Sequence, residues 1–288
     1  MATYETAHDQ LITIGDTNIA YRIIGPTSGT PLVLAVHFRG TMDHWDPTLI
    51  NPLAAQRPVI LIDSPGVGGS GGEIPGTIAG FAQVYIDVVK AIGFSQIDMM
   101  GFSFGGAVAQ MVALNAPSLV RRLILCGTTP SVGSNVVPGD HAAFGKLLTA
   151  TSFQQYQEAF VSGFFASSND AQAIGKSVCE RITKARPQGM AFVDAVVAGK
   201  QAAAFSRFMD PGEAEHGSYD RFHELRMPVL VMSGNNDVLM PTENSILMWK
   251  KLTNAASHLH LYPNSGHGFI FQYSESVALL INHFLDSE

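Results

Sequence analysis

Short apolar runs recur along the chain, and loop residues close each of them. Because polar residues do not alternate within these runs, the runs predict parallel strands that are buried on both faces. A less apolar segment near the C-terminus predicts one further strand. The predicted strands are residues 31–37, 59–63, 97–102, 123–127, 228–234 and 258–262.

Helical periodicity separates most of these strands, beginning with residues 78–92, where apolar side chains fall on one face. Further helices are predicted at 107–114, 242–252 and 270–285, and a hairpin is predicted at 11–24. This alternation predicts an α/β fold with a doubly wound, mostly parallel sheet of about eight strands. Such sheets bind ligands at the carboxyl ends of their strands.

The pattern changes at residues 128–224, where segments of high helix propensity are interrupted by Gly, Ser and Pro and no strand is predicted. We interpret this segment as a helical cap, or lid, inserted into a core domain formed by residues 1–127 and 225–288. An apolar cap over a sheet predicts an apolar pocket between them. The recurring Phe and Met residues of the cap are Phe144, Phe153, Phe160, Phe164, Phe165, Met190, Phe192, Phe205, Phe208 and Met209.

The net charge of −7 argues against nucleic acid or an anionic membrane surface as a partner. Cys126 and Cys179 lie far apart without C-x-x-C spacing, so neither a disulfide framework nor a zinc site is expected. No apolar run is long enough to span a membrane, and the first residues do not have the pattern of a signal peptide. We therefore expect a cytoplasmic protein.

Residues 66–71 spell G-x-G-x-x-G after a predicted strand, which is the pattern of a dinucleotide site. Such a site needs a helix that starts within the motif and an acid at the end of the next strand. Here residues 73–76 break the chain and Asp87 lies in the middle of a helix. We interpret the motif as a glycine-rich turn, and we expect neither a cofactor nor a metal.

Ser103 lies between glycines where a predicted strand passes into a predicted helix. This arrangement is typical of a nucleophile elbow, a turn so tight that the serine is strained and only small residues fit at 101 and 105. The turn presents the hydroxyl at the strand's carboxyl end, close to a helix N-terminus that favours negative charge. A plain Gly-Ser turn is the alternative, but the flanking strand and helix favour the elbow.

A serine nucleophile needs a histidine base that is oriented by an acid, in the chain order Ser, Asp or Glu, His. Asp237 follows the strand that ends at 234, and His267 follows the strand that ends at 262. With Ser103, they occupy three strand ends in the required order, so we predict them as the catalytic triad. Asp63 and Asp98 are weaker candidates for the acid because they precede the serine. Among the other histidines, only His44 is kept as a candidate.

The oxyanion hole needs two N–H donors. One is the backbone amide of Phe104, the residue after the nucleophile. The other is expected in the loop after the strand that ends at residue 37, from Phe38 or Arg39, and we favour Phe38. The Arg39 side chain could hold an acidic substrate, but pairing with Asp43 or Asp46 is the simpler expectation.

These residues make the chain resemble the α/β-hydrolase superfamily over nearly its whole length. The similarity is greatest to small hydrolases akin to non-haem haloperoxidases, esterases and lactonases. Residues 63–70 match the D-x-P-G-x-G-x-S turn of that family. Two positions depart from it: the usual His-Gly of the oxyanion loop is His37-Phe38, and Cys126 stands where some relatives carry the acid.

We therefore expect a serine esterase or lactonase that cleaves an apolar small molecule through an acyl-enzyme. Phe38, Arg39, Phe104 and Met240 are the candidate pocket residues. C–C bond hydrolysis or perhydrolysis with the same triad remains an alternative. From another class, a small-molecule receptor or a non-hydrolytic protein of the same fold also remains open. The sequence leaves the substrate and a possible homodimer undecided.

Overall fold

The computed structural model describes residues 1–186 and 192–287. Within these residues, eight strands form one sheet in the order β1-β2-β4-β3-β5-β6-β7-β8. The strands β1 to β8 are Gln10–Ile14, Thr17–Ile24, Leu32–Ala35, Val59–Ile62, Ile97–Phe102, Val120–Cys126, Val229–Gly234 and Ser257–Tyr262. The pairs β1–β2 and β2–β4 are antiparallel, and every other pair is parallel. The predicted mostly parallel α/β sheet is confirmed.

Helices cover both faces of this sheet, as the apolar strand sequences require. The helices α1 to α10 are Pro47–Ala54, Ile78–Ile92, Phe104–Asn115, His141–Thr149, Phe153–Phe164, Asn169–Ala185, Ala195–Phe208, Thr242–Lys251, Phe269–Gln272 and Ser274–Asp286. Short 3-10 turns lie at Met42–His44, Pro211–His216 and Tyr219–Glu224. The strands β3, β4 and β5 are buried at every position, which explains why their sequences do not alternate.

Two helices differ from their predictions, and a third was not predicted. Helix α3 begins at Phe104 rather than near 107, because the elbow places its two glycines inside the first turn. The last predicted helix is divided at Tyr273, whose backbone (φ −117°, ψ 33°) interrupts the helical path. Helix α1 was not predicted, although Asp46 caps it and Pro47 occupies its first position.

Residues 128–224 carry helices α4 to α7 and two of the 3-10 turns, and their described part contains no strand. This content agrees with a helical cap, while the domain boundaries stay a prediction. Met190, one of the apolar cap residues, lies outside the described residues. Ion pairs join this region to the core: Arg181 of α6 pairs with Asp46, and Arg186, the residue that ends α6, pairs with Asp43.

Among the described residues, no helix is both long enough and apolar enough to cross a lipid bilayer.

Candidate active site

Ser103 occupies the junction between β5 and α3 with φ 59° and ψ −122°, a backbone conformation that non-glycine residues rarely adopt. Its glycine neighbours are required by close backbone packing. A Cβ on Gly101 would lie 2.2 Å from the Gly105 carbonyl oxygen, and one on Gly105 would lie 2.1 Å from the Ala35 carbonyl oxygen. The tight turn expected of an elbow is therefore present at Ser103.

Strand β6 and the loop after it hold this turn in place. The Ser103 N–H donates to the Cys126 carbonyl oxygen at 2.9 Å. The Thr128 hydroxyl donates to the Ser103 carbonyl oxygen at 2.8 Å. Both backbone polar groups of the strained serine are thus satisfied, which stabilises the conformation without involving its side chain.

Asp237 and His267 form a buried hydrogen-bonded pair, with 2.7 Å between Asp237 Oδ2 and His267 Nδ1. The other carboxylate oxygen, Oδ1, accepts the backbone N–H groups of Leu239 at 3.0 Å and Met240 at 2.9 Å. These bonds fix the carboxylate in one orientation. Because the carboxylate accepts from Nδ1, Nε2 of the neutral imidazole is left as a proton acceptor.

The structure joins two of the three predicted triad residues directly. Within the described residues, His267 Nε2 is buried without a hydrogen-bond partner, and no bond links it to Ser103. Both Ser103 and the Asp237–His267 pair border the end of β6. A Cβ on Gly127 would lie 3.3 Å from Asp237 Oδ2 and 3.4 Å from His267 Nδ1. Catalytic hydrogen bonds are often long or poorly aligned in structures without substrate.

Aromatic side chains enclose the histidine. Phe102 stacks on the His267 ring with centroids 4.9 Å apart, and Phe164 of α5 meets it edge to face at 4.7 Å. Ser103 is 4 % exposed and His267 is 1 % exposed. The surroundings of Ser103 and His267 are therefore apolar and closed to bulk water.

The candidate oxyanion donors differ in their hydrogen bonds. The Arg39 N–H donates to Gln201 Oε1 of helix α7 at 3.0 Å. Within the described part of the chain, the Phe38 and Phe104 N–H groups donate to no protein acceptor. Of the two candidates in the loop after β3, only the Phe38 amide is thus free to receive a developing oxyanion.

The expected pairing of the Arg39 side chain with Asp43 or Asp46 is wrong. Asp43 pairs with Arg22 and Arg186, and Asp46 pairs with Arg181. The Arg39 guanidinium instead donates to the main-chain carbonyl groups of residues 147, 148, 150 and 193. Its three nitrogen atoms are occupied in this way, so the group is not available to a substrate carboxylate.

The other candidate pocket residues are buried, and two of them contact the cap. Phe38 packs against Phe144 of α4 with ring centroids 5.0 Å apart. Phe104 packs against Phe205 of α7, with ring centroids 6.2 Å apart. Met240 is buried and holds Asp237 through its backbone amide.

Two buried histidines lie beside the site. Burial lowers the pKa of His37 to about 3 and that of His44 to about 4. His37 Nδ1 donates to the Phe38 carbonyl oxygen at 2.9 Å, whereas His44 Nδ1 accepts the Thr41 backbone N–H at 3.1 Å. His44 therefore caps the 3-10 turn at residues 42–44, and no described hydrogen bond joins it to His267.

Asp63 and Asp98, the weaker candidates for the acid, are bonded elsewhere. Asp63 accepts the backbone N–H groups of Met42 and Gly69, and burial raises its pKa to about 6. Asp98 pairs with Arg121. In the described ranges, no cluster of His, Cys, Asp or Glu has the arrangement of a metal site.

Sequence reasoning did not identify three residues of the site. Gly127 could have been noticed, because a glycine directly after a buried strand suggests a close backbone approach. Phe164 was only one of many cap aromatics. Gln201 gave no signal, since a single glutamine in a helix of the cap is ordinary until the fold brings it to residue 39.

Comparisons with known proteins agree with this fold. The model of the α/β hydrolase fold family matches residues 31–272, so the chain belongs to that family. An α/β hydrolase fold protein from Chitinophaga pinensis has a solved structure that superimposes with a TM-score of 0.88 at 30 % identity, covering 99 % of this chain and 100 % of that one. The class of this protein is therefore α/β hydrolase.

Named enzymes are similar at lower identity. The poly(3-hydroxyalkanoate) depolymerase of Ectopseudomonas oleovorans is 26 % identical over 231 residues, which are 80 % of this chain and 75 % of that protein. The 2-hydroxymuconate semialdehyde hydrolase of Pseudomonas sp. strain CF600 is 26 % identical over 243 residues, which are 81 % of this chain and 78 % of that protein. These relatives differ in their substrates.

Proposed function

We propose that this α/β hydrolase cleaves a carboxylic ester or lactone of a mostly apolar small molecule through an acyl-enzyme on Ser103. The observation that carries the proposal is the 2.7 Å hydrogen bond between Asp237 and His267, with Nε2 left as a free acceptor beside the strained serine turn. This is the arrangement that a serine needs to become a nucleophile.

In the proposed reaction, Ser103 Oγ attacks the substrate carbonyl while His267 Nε2 takes the hydroxyl proton. Asp237 holds the ring in the required tautomer and stabilises the imidazolium. The oxyanion is stabilised by the Phe38 and Phe104 amides. Collapse of the tetrahedral intermediate breaks the bond to the leaving alkoxide, which takes the proton from His267. Water activated by His267 then hydrolyses the acyl-enzyme and restores Ser103.

An uncharged, apolar substrate is supported by the walls of the site. Phe102 and Phe164 flank His267, and Phe38 and Phe104 pack against cap aromatics. The nearby cation, Arg39, is occupied by main-chain carbonyl groups. A substrate carboxylate would therefore enter an apolar site without a partner charge, which is costly.

Two relatives favour different bonds. Similarity to the poly(3-hydroxyalkanoate) depolymerase supports the ester, because ester bonds join the units of that named polymer. Similarity to the 2-hydroxymuconate semialdehyde hydrolase favours a second candidate, hydrolysis of a C–C bond next to a carbonyl with the same serine, histidine and aspartate.

The test combines a fluorophosphonate probe with a substrate panel. The purified protein is incubated with the probe, and the labelled peptide is identified by mass spectrometry, with Ser103→Ala as control. We expect labelling at Ser103, turnover of neutral aryl esters or lactones, and weak turnover when the acyl group carries a carboxylate. Ser103→Ala should lower kcat by about 10⁴-fold or more while the fold persists.

Three other results of this test would favour a different function or contradict the proposal. Turnover of diketones but not of esters would favour the C–C candidate. Labelling without any turnover would favour a receptor of the same fold. No labelling of a folded protein would mean that the three side chains do not act together, and the proposal would be wrong.

A further inference from the structure

Arg39 is a buried cation whose partners all come from one segment of the chain. The side chain is almost fully buried, and within the described residues no carboxylate pairs with it. Its Nε donates to the Val193 carbonyl oxygen at 2.9 Å, and its Nη1 donates to those of Leu147 at 2.7 Å and Ala150 at 3.0 Å. Each of these acceptors belongs to the cap segment, residues 128–224.

The positions of these acceptors explain why a cation is tolerated there. Leu147 lies in the last turn of α4, and Ala150 is the residue that ends the helix. The last carbonyl groups of a helix have no partner within the helix and carry its negative dipole end. Arg39 also lies over the rings of Tyr156 and Phe192, at 5.4 and 4.8 Å from their centroids. The cap therefore supplies partial negative charge in direct contact with Arg39, and the carboxylate of Asp194, also in the cap, attracts it without forming an ion pair.

The backbone of Arg39 is also attached to the cap. Its φ of 61° lies in the left-handed region, where an arginine is strained. The peptide group between residues 38 and 39 is bonded on both sides: its N–H donates to Gln201 Oε1 at 3.0 Å, and its C=O accepts from His37 Nδ1 at 2.9 Å. Gln201, in helix α7, thus holds the strained peptide from the cap side.

We propose that Gln201 and Arg39 couple closure of the cap to formation of the oxyanion hole, an inference that rests on the proposed function. With the cap closed, the 38–39 peptide is fixed and the neighbouring Phe38 amide faces the reacting carbonyl. When the cap lifts, residue 39 loses its partners and relaxes towards ordinary backbone angles, and the Phe38 amide turns away. Gln201 is then a positioning residue that acts through the loop rather than on the substrate.

The coupling is tested first by kinetics on an ester that the wild-type protein turns over. Gln201→Asn keeps the amide but is one methylene shorter, and Gln201→Met removes the acceptor at similar size. Both are expected to lower kcat about 10- to 100-fold with KM changed less than about threefold, because the lost donor acts in the transition state. A rise in KM at unchanged kcat would overturn the proposal.

A matched control comes from the preceding residue of the same helix. Lys200 makes an exposed contact between cap and core with Glu73 at 2.8 Å. Lys200→Met should leave kcat and KM unchanged. An equal loss of kcat in this control would show that cap docking in general, rather than the Gln201 bond, sustains the rate, and the inference would be wrong.

A second measurement does not depend on turnover. Backbone NMR order parameters are compared at Phe38, whose own N–H makes no bond to Gln201. We expect values near about 0.85 in the wild type and below about 0.6 in either folded Gln201 variant. An unchanged order parameter would overturn the coupling whatever the activity. A fall in the order parameter, in a protein that the probe does not label, would leave the coupling intact and refute the proposed function instead.

Discussion

Ser103, the proposed nucleophile, has a backbone conformation that only tight packing imposes. Left-handed and neighbouring conformations cost a non-glycine residue about 1–3 kcal/mol, which the surrounding structure must supply. Here carbonyl oxygens pack closely against Gly101 and Gly105. Ser103 is also hydrogen-bonded to Cys126 and Thr128, and these contacts hold the turn. The strain is therefore stored at the residue that the proposed reaction uses.

This strain can be measured by comparing two inactive variants. Alanine retains the unfavourable φ of residue 103, whereas glycine tolerates it. We expect Ser103→Gly to be more stable than Ser103→Ala by about 1 kcal/mol, after the entropic cost of glycine is subtracted. Urea unfolding monitored by circular dichroism gives the difference. Equal stabilities would show that the turn is not strained.

Removing only the charge of Asp237, by replacing it with asparagine, is expected to lower the catalytic rate. Its Oδ1 accepts two backbone N–H groups, so the oxygen of an asparagine must remain there and its NH₂ must face His267 Nδ1. That contact favours the tautomer with the proton on Nε2, which cannot accept from Ser103. Asp237→Asn should therefore lower kcat by about 10³- to 10⁴-fold.

The control for this variant is Asp16→Asn in the exposed turn between β1 and β2. It should have the wild-type rate and stability. If Asp237→Asn also kept the wild-type kcat, another acid would have to orient His267.

At the scale of the element, α3 shows how closely a helix can approach a sheet. A Cβ on Gly105 would overlap the backbone of Ala35, the last residue of β3. In α4, by contrast, a Cβ on Gly145 meets nothing within 4 Å. The two helical glycines therefore have different roles, one required by packing and the other dispensable.

Alanine at each of these positions should shift stability in opposite directions. Gly105→Ala is expected to destabilise the protein by about 3 kcal/mol or more, because backbone cannot move aside easily. Gly145→Ala should stabilise it by about 0.5–1 kcal/mol through helix propensity. Both free energies of unfolding come from the same denaturant series. A tolerated Gly105→Ala would mean that α3 lies farther from β3.

At the scale of the whole molecule, three buried groups make stability depend on pH. The folded-state pKa values of His37 and His44, about 3 and 4, lie below the value of about 6.5 for an unfolded histidine. At any pH between 6 and 4.5, unfolding therefore takes up about two protons, one on each histidine. The free energy of unfolding that the two neutral histidines contribute is lost as pH falls. Asp63 has a folded-state pKa of about 6, so unfolding releases about one proton from it in this range, which opposes the effect of the histidines.

For these three groups together, the net uptake of about one proton contributes a stability loss of about 1.4 kcal/mol per pH unit, or about 2 kcal/mol from pH 6 to pH 4.5. His44→Gln removes one of the titrating groups. The pH slope of its free energy of unfolding should therefore be smaller than that of the wild type by about 1.4 kcal/mol per pH unit. Urea unfolding at both pH values for both proteins gives the difference. Parallel slopes would show that His44 is protonated in the folded state.

Much of the architecture could be predicted because its signals are local. Uninterrupted apolar runs indicated β3, β4 and β5 because both faces of those strands are buried. The Asp237 and His267 loops could be placed because the carboxyl ends of parallel strands meet at one edge. The division of the last helix at Tyr273 could not be predicted, since its sequence is periodic on both sides of the break.

The sequence by itself determined the fold class, the elbow at Ser103 and the chain order of the proposed triad, because each depends on residue types within a few positions. Only the tertiary structure decided the partners of Arg39. A nearby aspartate was the simple expectation, but the fold brings the end of α4 and Gln201 to this residue. Such contacts join residues more than a hundred positions apart. They depend on how the cap lies on the sheet, which no local pattern records.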